Sequence, residues 1–118
     1  MSRLISLRIY FRHSERAPVG LRRSLWRLLV RPSLAQHLLR KASDDGIGQA
    51  ILYRVEAGYL GGERLRYDHI ELSHDSLPCC IELIDRESRV RAFWGENVNG
   101  LYNVRSVFLH CEGPTKEG

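Results

Sequence analysis

Hydrophobic and polar residues alternate along four segments of the chain, and this period of two predicts four β-strands. The cleanest alternation runs from Leu4 to Phe11, where one predicted face consists of Ile5, Leu7, Ile9 and Phe11. The other three predicted strands are Gln49–Ala57, Cys79–Ile84 and Leu101–His110. Pro78 directly precedes the third of them, which is a position that proline tolerates in a strand.

Two segments between these strands repeat their apolar residues at helical spacing. In the first, Ser33 can cap the helix and Gln36 completes a capping box, while Asp44-Asp45-Gly46 ends the pattern. The second segment is predicted to begin at Asp85 as N-cap. Its predicted apolar face consists of Val90, Phe93 and Trp94. Each segment is therefore expected to pack one face against a sheet.

The order of these elements is β-α-β-β-α-β, which predicts one α+β domain over residues 1–111 with ferredoxin-like topology. In that topology the sheet has four antiparallel strands, and both main helices cover one face. Residues 112–118 are polar and are predicted to form a disordered tail.

The second face of the predicted sheet has no helix to cover it. We expect it to carry Leu4, Ser6, Arg8, Tyr10, Leu52, Arg54, Glu56, Cys80, Glu82 and Ile84. Because this face mixes apolar residues with opposite charges, we interpret it as a contact between subunits. Ion pairs are expected among Arg8, Arg54, Glu56 and Glu82. A partly solvated sheet in a monomer is the alternative.

Basic residues are concentrated near the start of the chain. The formal net charge is +4, but the first 40 residues contain nine arginines and a single acid, Glu15. This asymmetry indicates an acidic partner, or one half of the fold facing the other, although codon bias towards arginine would produce it too. No apolar run is long enough for a membrane span, and the first residues show no signal-peptide pattern, so a cytoplasmic location is predicted. The three cysteines are expected to be free thiols.

The segment Gly58–Arg66 is the main candidate ligand loop. It contains Gly58, Gly61 and Gly62, followed by Arg64 and Arg66. Glycines let backbone N–H groups approach an anion, and arginines neutralise phosphate. Arg54 is expected either to reach the same cleft or to pair with Glu56 or Glu82. The segment has no Walker-type Gly-Lys-Ser, and a solvated hairpin connection is the alternative interpretation.

A short basic amphipathic helix is predicted over Leu21–Val30, ahead of Pro32. Its candidate partner-binding residues are Arg23, Trp26, Arg27 and Arg31. It either packs on the protein's own core or docks on a partner protein or an anionic membrane surface. Nucleic acid is not favoured, because the segment has no interleaved aromatic platform and no known recognition motif.

Several segments, in this order and spacing, resemble the PII-like proteins of domain-of-unknown-function family 190. They are Leu7–Tyr10, Leu34–Gly46, Ala50–Gly58, Leu77–Asp85 and Arg89–Phe93. The resemblance implies trimers with sheets facing inward, a mobile loop after the second strand, and ligand sites between subunits. It also implies that an adenine nucleotide is bound there and that the protein acts on a transporter or an enzyme. The segment His13–Arg31 departs from the family pattern as an insertion.

Metal binding and catalysis are less favoured by the sequence. His69, His74, Cys79 and Cys80 could form a metal cluster, as in copper-tolerance trimers, but adjacent strand residues such as the two cysteines point to opposite faces. No histidine, asparagine or aspartate has a recognisable spacing to either thiol. The sequence therefore predicts a binding protein that is not an enzyme.

Overall fold

The structure is a computed structural model, and it describes residues 3–18, 32–62, 64–67 and 77–112. Its elements in chain order are β1 (Leu4–Arg12), α1 (Leu34–Asp44), β2 (Gln49–Arg54), β3 (Ala57–Gly58), β4 (Arg66–Tyr67), β5 (Pro78–Arg86), α2 (Glu87–Asn97) and β6 (Arg105–His110). The predicted basic helix over Leu21–Val30 lies outside the described residues.

Four of the strands form one antiparallel sheet in the order β2-β5-β1-β6. This order places the first strand between the third and fourth strands of the predicted set, which confirms the ferredoxin-like topology. The remaining strands, β3 and β4, pair with each other in a small hairpin. The predicted second strand is therefore too long, because its last residues leave the main sheet after Arg54.

The core lies between the sheet and the two helices. The buried side chains from the sheet are Ile5, Leu7, Ile9, Phe11, Cys79, Ile81 and Leu83, and those from the helices are Leu34, Ala35, Leu38, Ala42, Val90 and Phe93. The alternation of β1 predicted its buried face correctly. Both helices pack on this face of the sheet, so the other face is open among the described elements.

The facing of β2 was predicted wrongly. Leu52 lies opposite Ile81 and packs against the core, and Arg54 lies opposite Cys79 on the same side. Ile51 and Tyr53 are on the open face instead, where they oppose Glu82 and Cys80. Both sets of β2 side chains include apolar residues, so alternation alone cannot select the buried set. The register with β5 decides it.

The two helices begin in different ways. Ser33 caps α1 as predicted, and its hydroxyl accepts a hydrogen bond from the Gln36 backbone N–H at 3.1 Å. Asp85 was predicted to cap α2, but the N-cap position is Arg86, whose side chain makes no capping bond. The carboxylate of Asp85 instead accepts a hydrogen bond from the Gly48 backbone N–H at 2.7 Å. Asp85 thus joins the end of β5 to the segment that leads into β2.

The start of the last strand also differs from the prediction. The last strand begins at Arg105, and residues 101–104 precede it as a loop. Helix α2 continues through Gly95 and ends at Asn97. Glycine weakens a helix by only about 1 kcal/mol, and the packing of Val90 and Phe93 in the core offsets that cost.

Candidate functional site

The predicted ligand loop is a hairpin in the structure. Strands β3 and β4 pair Ala57 with Tyr67 and Gly58 with Arg66, and the chain turns through Gly61 and Gly62. Gly62 has a φ of +82°, a left-handed conformation that favours glycine. The segment is thus a hairpin whose turn depends on glycine at position 62.

One cleft lies beside this hairpin, and we call it the hairpin cleft. Its volume is about 330 Å³, and its walls include Arg12 at the end of β1, Gly61 in the hairpin, Tyr102 in the loop before β6, and Arg105 at the start of β6. The hairpin and the ends of two neighbouring strands thus meet at one point. Tyr102 is 95% exposed and stands at the rim.

Arg105 is the basic residue of the hairpin cleft that contacts the glycine turn. Its guanidinium lies so close to Gly61 that a Cβ added there would be 2.8 Å from Arg105 Nη2. In the described part of the chain, no carboxylate oxygen is within 4.0 Å of Arg105. Glu15 is the acidic residue of the same cleft. An exposed guanidinium without a carboxylate partner can bind an anion.

Arg54 lies in a different cleft, which we call the β2 cleft. This cleft has a volume of about 440 Å³, and its walls include His13, Glu56 and Cys79. Arg54 forms no ion pair with Glu56, nor with Glu82, which lies on the opposite side of the sheet. The structure thus separates Arg54 from the glycine turn to which the sequence analysis assigned it.

The other predicted ligand residues lie along the hairpin. Gly58 is in β3, Arg66 is in β4, and Arg64 is exposed in the turn region between them. The predicted partner-binding residues Arg23, Trp26, Arg27 and Arg31 all lie outside the described residues. So do His69 and His74, which the sequence analysis had weighed as metal ligands.

The two adjacent cysteines of β5 do point to opposite faces, as predicted. Cys79 is in the core, and burial raises the pKa of its thiol to about 12. Cys80 is on the open face beside Tyr10 and Tyr53. A thiol with such a raised pKa is protonated at neutral pH and therefore a poor nucleophile and metal ligand.

A hydrogen-bonded cluster occupies the middle of the open face, around the buried carboxylate of Glu82. Glu82 accepts hydrogen bonds from the Ser6 hydroxyl at 3.0 Å, from Arg8 Nε at 2.9 Å and from the Tyr53 hydroxyl at 3.3 Å. Burial by itself raises the pKa of Glu82, but the hydrogen bonds from Arg8 and Ser6 and the charge of Arg8 outweigh it, so the pKa is lowered. Of the four residues expected to form ion pairs, Arg8 and Glu82 pair with each other within the chain. Arg54 forms no ion pair with either glutamate.

The sequence analysis missed Arg12, Tyr102 and Arg105. The predicted strand order already placed the end of the first strand beside the start of the fourth, so the topology contained the signal. It was not used, because the fourth strand was predicted to begin at Leu101, which placed Arg105 in the middle of a strand. The position of Arg105 at the strand's first residue is what brings it to the cleft.

The sequence matches the family model of DUF190, described as Uncharacterized ACR, over residues 4–109, so the chain belongs to this family. A UPF0166 protein from Aquifex aeolicus (strain VF5) is 31% identical over 68 residues, which are 58% of this chain and 64% of that protein. The chain thus aligns with just under two thirds of this relative's length.

A solved structure of an amidase of the hydantoinase/carbamoylase family from Burkholderia phymatum is similar over 94% of this chain and 28% of that one. The sequence identity is 19% and the TM-score is 0.30, a likeness that carries no argument about fold or function.

Within the part of the chain that the structure describes, no helix has the length and apolar character needed to cross a membrane.

Proposed function

We propose that this DUF190 protein is a cytoplasmic PII-like signalling protein. In this proposal it binds an adenine nucleotide or a similar small anion in the hairpin cleft and acts on a partner protein, such as a transporter or an enzyme, through the hairpin. The anion part is supported by Arg105, which lies at the glycine turn without a carboxylate partner among the described residues. The nucleotide part is supported by the resemblance to PII proteins.

Arginines at the opposite end of the sheet differ from Arg105 in having carboxylate partners. There, Arg89 is 3.5 Å from the Asp85 carboxylate, and Arg91 is 2.7 Å from Glu87. The charges of Arg89 and Arg91 are thus partly neutralised by a neighbouring carboxylate, whereas that of Arg105 is not. An arginine without such an acid, at the wall of a cleft, is therefore available to a ligand.

We further propose that the protein is a homotrimer and that a neighbouring subunit completes the cleft. The open face supports this proposal. Ile51 is 39% exposed and Tyr53 is 47% exposed there, next to the buried Glu82 cluster. Exposed apolar side chains around a satisfied ion pair are typical of a surface that a second chain covers.

The protein is proposed to act by binding and not by catalysis. The two nucleophile candidates weighed from the sequence, Cys79 and Cys80, are both buried, and burial raises the pKa of both thiols. Among the described residues, the other polar side chains of the two clefts are three arginines, two tyrosines, two glutamates, one asparagine and one histidine. The arginines suit recognition of an anion.

Calorimetry tests the ligand, and light scattering tests the assembly. We expect heat of binding with at least one of AMP, ADP, ATP, cyclic AMP and inorganic pyrophosphate at physiological salt. No heat from any of them, with a well-folded protein, would overturn the proposed ligand class. Binding of pyrophosphate with no gain for any nucleotide would restrict the proposal to an anion site. A monomer in light scattering would overturn the trimer.

A further inference from the structure

We infer that Arg105 is the main anion-contacting residue of the hairpin cleft and that Gly61 is its positioning residue. This inference rests on the proposed function and deepens it, because it names the contact through which the hairpin and the ligand influence each other. The sequence analysis had assigned this role to Arg54, Arg64 and Arg66 instead.

The backbone of Arg105 is held in the main sheet. Arg105 is the first residue of β6, and it lies opposite Tyr10 in the neighbouring strand β1. Its backbone is therefore held by the ladder of the main sheet, whereas Arg64 lies in the turn region of a two-stranded hairpin. A charged group on a rigid element is better preorganised for a ligand than one on a loop.

The guanidinium of Arg105 also lies very close to Gly61. An added Cβ at Gly61 would lie 2.8 Å from Arg105 Nη2, a distance that real Cβ atoms do not tolerate. Any side chain at this position therefore displaces the guanidinium. Gly61 does not have a positive φ, so its backbone conformation does not require glycine. The absence of a side chain at this position serves the contact with Arg105.

The consequence is a coupling between the cleft and the hairpin. An anion in the cleft attracts the Arg105 guanidinium, and the guanidinium contacts the turn that connects β3 to β4. Coupling between two binding sites is reciprocal. If the anion stabilises this conformation of the hairpin, a partner that holds the hairpin in the same conformation also raises the affinity for the anion.

The test compares four variants of the full chain by calorimetry with ADP and with inorganic pyrophosphate. Arg105→Gln is expected to weaken binding by about tenfold or more, because a charge-assisted hydrogen bond is lost. Arg105→Lys keeps the charge and is expected to recover part of the affinity. Gly61→Ala is expected to weaken binding by a smaller factor, since it moves the guanidinium and does not remove it.

Gly95→Ala is the matched control for Gly61→Ala, because an added Cβ at Gly95 meets no atom within 4 Å. It is expected to bind like the wild type. Amide NMR tests whether the ligand affects the glycine turn through Arg105, which a merely structural role of Arg105 would not predict. In the wild type the ligand should shift the Gly61 and Gly62 amide signals, and in Arg105→Gln it should not.

The outcomes separate this inference from the proposed function. Wild-type protein that binds neither probe overturns the proposed function and this inference with it. Wild-type binding that Arg105→Gln leaves unchanged overturns only the inference and returns the role to the other arginines. Equal losses in Gly61→Ala and Gly95→Ala would overturn the positioning role of Gly61.

Discussion

Two arginines lie against glycines at opposite ends of the same sheet, and their surroundings differ. A Cβ added at Gly46 would be 3.1 Å from Arg89 Nη2, and one added at Gly61 would be 2.8 Å from Arg105 Nη2. Arg89 also pairs with the Asp85 carboxylate and donates a hydrogen bond to the Asp45 carbonyl at 3.1 Å. Arg105 has no such acid beside it in the described residues.

The two arginine–glycine contacts have different roles. At the Gly46 end, the arginine is one member of a network that joins α1, β2, β5 and α2, so its contribution is to stability. At the Gly61 end, the arginine lies at a cleft wall and leaves its charge available. Variants at the first end should therefore affect unfolding, and variants at the second end should affect binding.

The largest expected effect is that of Asp85→Ala. It leaves the Gly48 and Arg86 backbone N–H groups without their acceptor and removes the partner of Arg89. We expect the free energy of unfolding to fall by about 2 kcal/mol, measured by urea titration. Asp85→Asn keeps one acceptor oxygen and should lose less. If both variants were as stable as the wild type, the network would not be structural.

Glu82→Gln should be next in size. It weakens the bond from Arg8 and leaves the cluster of the open face without its negative charge. We expect a loss of about 1.5 kcal/mol in the free energy of unfolding, because the carboxylate is buried and its partner is partly solvated. An unchanged urea midpoint would show that the contact between Arg8 and Glu82 does not stabilise the fold, in contrast to that between Arg89 and Asp85.

The same variant should change the acid stability of the protein. Because the pKa of Glu82 is lower in the folded state than its ordinary value of 4.5, the folded state releases this proton more readily than the unfolded state. The resulting stability is present above pH 4.5 and is lost as the pH falls through the lower folded-state pKa. Urea midpoints of Glu82→Gln should therefore fall less steeply below pH 4.5 than those of the wild type. Parallel curves would contradict this assignment.

Gly46→Ala and Gly61→Ala test the comparison directly. Gly46 has a φ of +73°, so alanine there should cost about 1 kcal/mol of unfolding free energy. Alanine at Gly61 displaces only the end of a flexible side chain and should leave the urea midpoint near that of the wild type. A larger loss at Gly61 than at Gly46 would reverse the proposed division of roles.

The smallest expected effects on stability are those of Arg54→Gln and Arg105→Gln. Neither arginine has a carboxylate partner among the described residues, so each change should alter the unfolding free energy by less than about 0.5 kcal/mol. Arg40→Gln, on the exposed side of α1, is the matched control. A marked destabilisation by either cleft variant would show that its arginine has a structural role.

Local sequence rules accounted for most of the fold and for little of the site. They predicted β1, the capped start of α1, the apolar face of α2 and the strand order. For the site, they identified the glycine turn but assigned it Arg54, which the register of β2 directs to another cleft. Neither the facing of an amphiphilic strand nor the start of an edge strand can be read from alternation when both faces contain apolar residues.

The sequence by itself determined the ferredoxin-like order, because its alternating segments, caps and breakers each act over a few neighbouring residues. Only the tertiary structure decided that the Asp85 carboxylate joins the end of β5 to the segment before β2 and does not cap α2. Only the tertiary structure brought Arg105 to Gly61, 44 positions earlier in the chain. Such contacts depend on register and on the positions of strand ends, which follow from the pairing of distant segments and not from the pattern within any one of them.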